Sequence, residues 1–327
     1  MAVEPTVNRD AEGAADAVTD RPVPRRLRHL RWRTWRRILW RSLVGFLTDD
    51  CADFAGAMTY CAVTALIPSL IVIVALVNLV TDGAAAVRAL LGILRDVGVG
   101  SIVGNASVTA VLDSLLVHRN SAKVLFSVGL LIAVWSASGY VSAFTRASNR
   151  IYGVHEGRAW WKLQLLQIAL AAVALMLMAV AATGLVISGP LVNAVGDALH
   201  AGPTARLAYS IGRWPVLVAI AIILLSLLFW IAPNVKQPRF RWLTVGGAVA
   251  LVVWAIVSFG FGLYVANFGS YDRTYGSLGA IMAFLVWSYL SNSAILLGVE
   301  VNAQVQRGRL IQAGERDPRT PLEPKVV

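Results

Sequence analysis

The stretch YGSLGAIMAFLVWSYLSNSAILLGVEVNAQ, Tyr275 to Gln304, holds no charged residue before Glu300, and its uncharged run begins directly after Arg273. As a helix, those 26 residues would extend about 39 Å at roughly 1.5 Å per residue. About 20 apolar residues suffice to cross the hydrocarbon core of a bilayer. The stretch therefore reads as a membrane span with length to spare. Glu300 stands at its boundary or up to a turn inside, according to tilt. A carboxylate there is either a boundary marker or a working group.

Five further uncharged gaps precede this one. They lie between Asp53 and Asp82, Lys123 and Arg146, Lys162 and Asp197, Arg213 and Lys236, and Arg241 and Asp272, and hold 28, 22, 34, 22 and 30 residues. The chain of 327 residues is 57% hydrophobic and only 14% charged, against about 25% charged in soluble domains. It is an all-α integral membrane protein with six spans, expected at about 54–80, 124–145, 163–187, 216–232, 242–266 and 276–299. Arginine and lysine orient it. The N-terminal region, the 146–162 and 236–241 loops and the C-terminal tail carry 22 of the 29 basic residues, which places both termini in the cytoplasm.

Residues 1–24 lack apolar periodicity and are expected to be a disordered tail. No short apolar run with a cleavage site stands there, so the first span is expected to remain as an anchor. Residues 25–47 form a basic helix. Nine arginines lie between Arg21 and Arg41, with Leu27, Leu30, Trp35, Ile38 and Leu39 on roughly one half of the helix. Directly before a span, this reads as an interfacial amphipathic helix whose partners are membrane lipids, anionic headgroups in particular, and not nucleic acid. The membrane domain covers 48–306 and a cytoplasmic tail 307–327. Two outward connections, 83–118 after span 1 and 190–212 after span 3, are too polar to span and are expected to hold amphipathic helices. Thr48 is placed to cap the first span's helix, with Asp49, Asp50 and Asp53 at its positive end.

Polar groups at membrane depth are costly, and each is a candidate site. In the first span these are Asp53, Tyr60 and Ser69, with Pro68 interrupting the hydrogen-bond ladder as a packing kink or a hinge. In the second, Ser138, Ser142 and Asn149 keep helical spacing, and Gly139 permits close approach. Arg146 and Arg150 stand at the cytoplasmic exit, to snorkel or to engage a headgroup. In the sixth, Gly276 and Ala280 form a small-xxx-small packing pair. Asn292 and Glu300, eight residues apart, share roughly one face. Glu300, Asn292, Arg146, Asn149, Tyr60 and Asp53 are the substrate-binding or coupling candidates, with an Arg146–Glu300 pair expected because both lie at the same face of the membrane.

Cys51 and Cys61 have neither the number nor the spacing of a disulfide framework or a zinc site. The four histidines, His29, His118, His155 and His200, are scattered, with no paired carboxylates beside them. Neither metal-assisted hydrolysis nor general acid–base catalysis is indicated, and no Walker-type lysine is present. No enzyme activity, metal or cofactor is expected.

Three segments together resemble a known family. AGAMTYCAVTALIPSL (Ala55–Leu70), RASNRIYG (Arg146–Gly153) and YGSLGAIMAFLVWSYLSNSAILLGVEVNAQVQR (Tyr275–Arg307) are similar to the signature elements of the YihY/BrkB family of bacterial inner-membrane proteins. The resemblance covers roughly residues 45–307. It departs at Ala65, where the family often has serine, and at Val301, where leucine is commoner. It implies a six-helix protein of the cytoplasmic membrane, in a family linked to envelope lipids, export and serum resistance. The family has also carried a ribonuclease label, which the residues here do not support. The functional expectation is a carrier or scramblase-like transporter of an amphiphilic envelope component, a lipid or lipid-linked precursor, without its own ATPase. The alternative is a non-transporting scaffold or regulatory subunit.

Overall fold

A computed structural model describes residues 32–80, 119–186, 202–237, 244–267, 277–313 and 322–326 of the chain. Seven helices account for nearly all of them: α1 (Trp32–Thr48), α2 (Cys51–Val80), α3 (Arg119–Tyr152), α4 (Trp160–Val186), α5 (Gly202–Ile231), α6 (Val245–Asn267) and α7 (Ser277–Ala313). Among the described residues the only β pairing is an isolated bridge, Val235 to Pro324. Helices α2 to α7 each contain a stretch long and apolar enough to cross a membrane. The expected disordered tail, the outward connection 83–118, residues 190–201 of the second outward connection, and Gly276 lie outside the described residues, while 202–212 open α5 and are continuous with the fourth span's helix.

The helix ends follow local chemistry. The α3 helix closes in a Schellman turn, with Gly153 N–H donating to the Arg150 carbonyl (3.0 Å) and Val154 N–H to the Asn149 carbonyl (2.9 Å). Gly153 has φ 69°, a conformation that glycine alone adopts without penalty. That is the physical content of the closing glycine in RASNRIYG. Thr48 does not cap α2 as expected. It ends α1, and its hydroxyl donates back to the Gly45 carbonyl at 3.3 Å. The chain then turns through Asp49 and Asp50 (φ 56°) into α2.

The helix that holds the sixth span runs beyond residue 299, the expected end of that span. The α7 helix continues through Glu300 to Ala313. Residues 301–306, VNAQVQ, contain no Gly or Pro to stop it. Glu300 is therefore a mid-helix residue.

The α7 helix is the axis of the bundle, packing against α1, α2, α3 and α6, while α2 packs against α3, α4 and α7 and α5 leans mainly on α4. The tightest core lies at the arginine-rich end. There Cys51, Ala55 and Met58 of α2, Phe144, Ala147 and Ile151 of α3, Leu296, Val299 and Ala303 of α7 and Phe229 of α5 form one buried cluster. The many alanines let backbones approach closely, which supplies packing where lipid removes the hydrophobic drive between helices. Phe144 and Phe229 stack with ring centroids 5.8 Å apart. Outward faces carry Leu131, Trp135, Leu165, Ile256 and Phe259, as a lipid-facing surface requires.

Loops at this end are tied together. Arg158 donates to both Glu156 oxygens (2.7 Å each) and to the Ala232 carbonyl (2.7 Å), so it caps the end of α5. Asn234 donates to the carbonyls of His155 and Val326 and accepts from Val326 N–H. The segment 322–326 is thereby docked beneath the bundle, with Leu322 buried in the core.

Candidate functional site

The motif Gly298-Val-Glu300-Val-Asn302 places three different jobs on one turn and a half of α7. Gly298 meets Gly246 of α6 backbone to backbone: a Cβ added at either residue would collide with the other's carbonyl oxygen. Asn302, one turn further, caps α6. Its Oδ1 accepts Gly246 N–H at 2.8 Å and its Nδ2 donates to Thr244 Oγ1 at 3.0 Å. Thr244 in turn accepts Gly247 N–H at 3.0 Å. Two donors of the first turn of α6, which no intrahelical carbonyl can reach, are satisfied this way.

Glu300 points elsewhere, under α1, and is 0% exposed. Its Oε1 accepts from Gln304 Nε2 at 2.8 Å, one turn along the same helix. Its Oε2 is buried with no hydrogen-bond partner, and no described cation forms an ion pair with it. Its titratable neighbours are Asp49 from the α1–α2 turn and Arg307 from α7, with Cys51 of α2 and Tyr152 of α3. Arg307 is itself engaged, donating to the Ile151 carbonyl at 2.8 Å. Gly45 of α1 lies directly over the carboxyl group, so close that a Cβ there would overlap it. Ile38, packed with Val301 and Val305, seats the rest of α1 on α7.

The other expected site residues do not converge on Glu300. The Arg146–Glu300 pair is not made. Phe144, Ala147 and Ile151 take the buried face of α3, which leaves Arg146 exposed and donating to Ser142 Oγ at 2.7 Å. Asn292 is buried but serves as a junction of three helices. It accepts from Tyr140 OH of α3 (2.9 Å) and donates to Thr59 Oγ1 of α2 (3.0 Å), which donates to the Ala55 carbonyl (2.8 Å). Eight residues separate it from Glu300, about 12 Å along the helix axis.

Asn149 holds loops. It donates to Glu156 Oε2 (2.9 Å) and accepts Asn234 N–H (2.8 Å). Burial pushes the Glu156 carboxyl up, but hydrogen bonds from Arg158 and Asn149, with the Arg158 charge, outweigh this and hold it below its ordinary value. Tyr60 and Asp53 face outward from α2. Pro68 lies inside α2, which continues past it to Val80. Gly139 is in ordinary contact with Cys61, at 4.0 Å for an added Cβ. Ala280 lies in the first turn of α7, but its side chain is outside the described residues. Among the described residues no three His, Cys, Asp or Glu side chains gather as metal ligands would.

Sequence reasoning missed the partners that give these residues their roles: Gly45, Tyr140, Asn234, Gly246, Asn302 and Gln304. Their signal was present only in part. Asn302 was visible as a polar residue beside Glu300, whereas the Gly246–Gly298 crossing depends on which helices meet.

A family model described as virulence factor BrkB matches residues 42–322 of the chain. A ribonuclease-like protein of Bacillus subtilis is 33% identical over 200 residues, covering 61% of this chain and 72% of that protein. A UPF0761 membrane protein of Ralstonia nicotianae is 30% identical over 260 residues, 78% of this chain and 55% of its own. Another, of Acinetobacter baylyi, is 24% identical over 279 residues, 83% of this chain and 62% of its own. The chain thus spans less than two thirds of the length of those two relatives. No solved structure matches it.

Proposed function

The chain belongs to the virulence factor BrkB family as a multi-pass protein of the bacterial inner membrane, and from that premise we propose that it is a carrier of an amphiphilic envelope component. The cargo class is a lipid or lipid-linked precursor, moved without an ATPase of the protein's own, and Glu300 is the group that takes up and releases a proton. The observation that carries this reading is a carboxyl group with no exposed surface and, among the described residues, one oxygen unpartnered and no ion pair. Keeping a polar group in that condition is expensive, and a purely structural acid would be expected to fill its hydrogen bonds. Gln304 is its one hydrogen-bond partner among the described residues, and Tyr152 of α3 and Cys51 of α2 stand within electrostatic range of it.

The reading assigns no catalysis. One relative's name is ribonuclease-like, but nuclease chemistry by general acid–base or metal assistance needs paired groups. Glu300 lies buried beneath α1, and Glu156 is bound up with Arg158 and Asn149. Purified protein should leave RNA intact. Cleavage that survives purification and dies with a point change would replace this reading.

The decisive experiment is reconstitution in liposomes bearing labelled anionic lipids, with and without a pH gradient. Flux should exceed that of empty liposomes, and Glu300→Gln should abolish it at normal abundance. Flux equal to empty liposomes under every ion gradient would remove carriage of those lipids. One observation favours a second reading, a non-transporting scaffold: Asn292 and Asn149 each donate and accept a hydrogen bond that holds helices or loops together. A scaffold would tolerate Glu300→Gln and fail when residues 1–41 are deleted.

A further inference from the structure

The α1 helix has two apolar stripes. Ile38, Ser42 and Gly45 are buried against the bundle, with Trp35 half-buried beside them. On the opposite side Arg36, Trp40, Leu43 and Leu47 follow one another at spacings of four, three and four, flanked by Leu39, Val44 and Arg37, and all are exposed. Leu47 is 79% exposed and Trp40 69%. Side chains of that kind do not face water on a helix that runs into a membrane span after two residues. Arginines beside an apolar stripe, at the level where spans leave the bilayer, match a surface with acyl chains below and anionic headgroups above.

The inner stripe ends at Gly45, which covers the Glu300 carboxyl and leaves no room for a side chain. The joint behind it is the two-residue turn Asp49–Asp50, with Asp50 in the left-handed region. One helix thus carries an exposed apolar stripe on one face and covers the buried acid with the other.

We propose that α1 is a lid on Glu300 whose closed position is held by anionic lipid. The exposed stripe with Arg36 and Arg37 seats on the acidic surface of the cytoplasmic leaflet, and that seating keeps Gly45 over the carboxyl group. Where the surface loses its charge, α1 lifts about the Asp49–Asp50 turn and opens Glu300 to water. This rests on the carrier reading above, because it names the control of the same acid.

Cys51 reports the lid. It has no exposed surface, lies directly behind the turn and neighbours Glu300. The chain has two cysteines, so Cys61→Ser leaves Cys51 as the single thiol. The experiment measures its labelling by a membrane-impermeant maleimide in nanodiscs. One set is phosphatidylcholine alone and the other equal parts phosphatidylcholine and phosphatidylglycerol. Labelling should be at least about five-fold slower with phosphatidylglycerol, the factor that one arginine at an anionic surface supplies. Arg36→Gln with Arg37→Gln should abolish that difference without unfolding the protein, and Gly45→Leu should speed labelling in both lipids. Equal rates in the two lipids, or a lipid effect that persists without the arginines, overturns the lid. Because the readout is access and not flux, lipid-dependent labelling in a protein that moves no lipid leaves the lid standing and removes the carrier.

Discussion

Gly246 and Gly298 bring α6 and α7 into backbone contact, and a Cβ built on Gly298 would lie 2.5 Å from the Gly246 carbonyl oxygen and 2.7 Å from Ala250 Cβ. Neither neighbour is the far end of a flexible side chain, so the helices themselves must part. Gly298→Ala should therefore lower stability by about 1–3 kcal/mol, the usual cost of overpacking. Gly260→Ala is the control, because nothing lies within 4 Å of a Cβ there. Alanine is the better helix former, so this variant should be neutral or slightly stabilised. Apparent melting temperatures in one detergent compare the two, and equal losses would mean that the crossing is not tight.

Asn302 and Thr244 act as one cap on α6. Asn302→Ala removes the acceptor of Gly246 N–H and the donor to Thr244, and Thr244→Ala removes the acceptor of Gly247 N–H. Each should cost about 1–2 kcal/mol. Since each residue orients the other, the double variant should lose less than the two single losses together. Strict additivity in a double-mutant cycle would show that the two caps are independent.

What the sequence made legible here depends on whether the signal is carried by one helix or by two. The spans were readable because the cost of charge in hydrocarbon clears Asp, Glu, Lys and Arg from each crossing segment, a property of the segment alone. Asn292 stood out as a candidate because a polar group at membrane depth is costly, again a property of one segment. The extent of α7 was not readable, because an uncharged run delimits a crossing segment and not the helix that holds it, and the helix-compatible residues after Glu300 carry α7 on to Ala313. The expected Arg146–Glu300 pair used depth and ignored azimuth. Both residues lie toward the same end of the bundle, but Arg146 is on the exposed side of α3 while Glu300 faces α1. The close seat of Gly45 over Glu300 was not readable for the same reason, since it depends on α1 lying on α7.

Tyr140 and Asn292 form a side-chain hydrogen bond of 2.9 Å that links α3 to α7, and Thr59 extends it to α2. Tyr140→Phe leaves Asn292 Oδ1 without its donor but keeps the ring in place. Interhelical hydrogen bonds in membranes contribute roughly 0.6 kcal/mol on average and up to about 1.7, so a loss in that range is expected. Asn292→Leu should lose more, because it also strips Thr59 of its donor and forces a branched side chain into a buried site. If Asn292 acts only as this junction, function across both variants should track folded abundance. Activity lost at full abundance would return Asn292 to the list of coupling residues.

Glu156 links pH to the stability of the arginine-rich end. Burial raises its carboxyl, but the Arg158 side chain and backbone N–H and the Asn149 amide together bring it below the ordinary carboxylate value. A group with a lowered folded value contributes stability that is fully present above its unfolded value and is lost as the pH falls through the folded one. The unfolded value is about 4.3 for glutamate, so the contribution should be constant near neutrality and decline below about pH 5. In Glu156→Gln the ionisable group is gone, and so is its share of the acid sensitivity. Melting temperatures of the two proteins, measured in detergent between neutrality and mild acid, should differ most at neutral pH and approach each other on acidification. A gap that stays constant through the acid range would mean that the carboxylate's charge does not hold the Arg158 and Asn149 contacts.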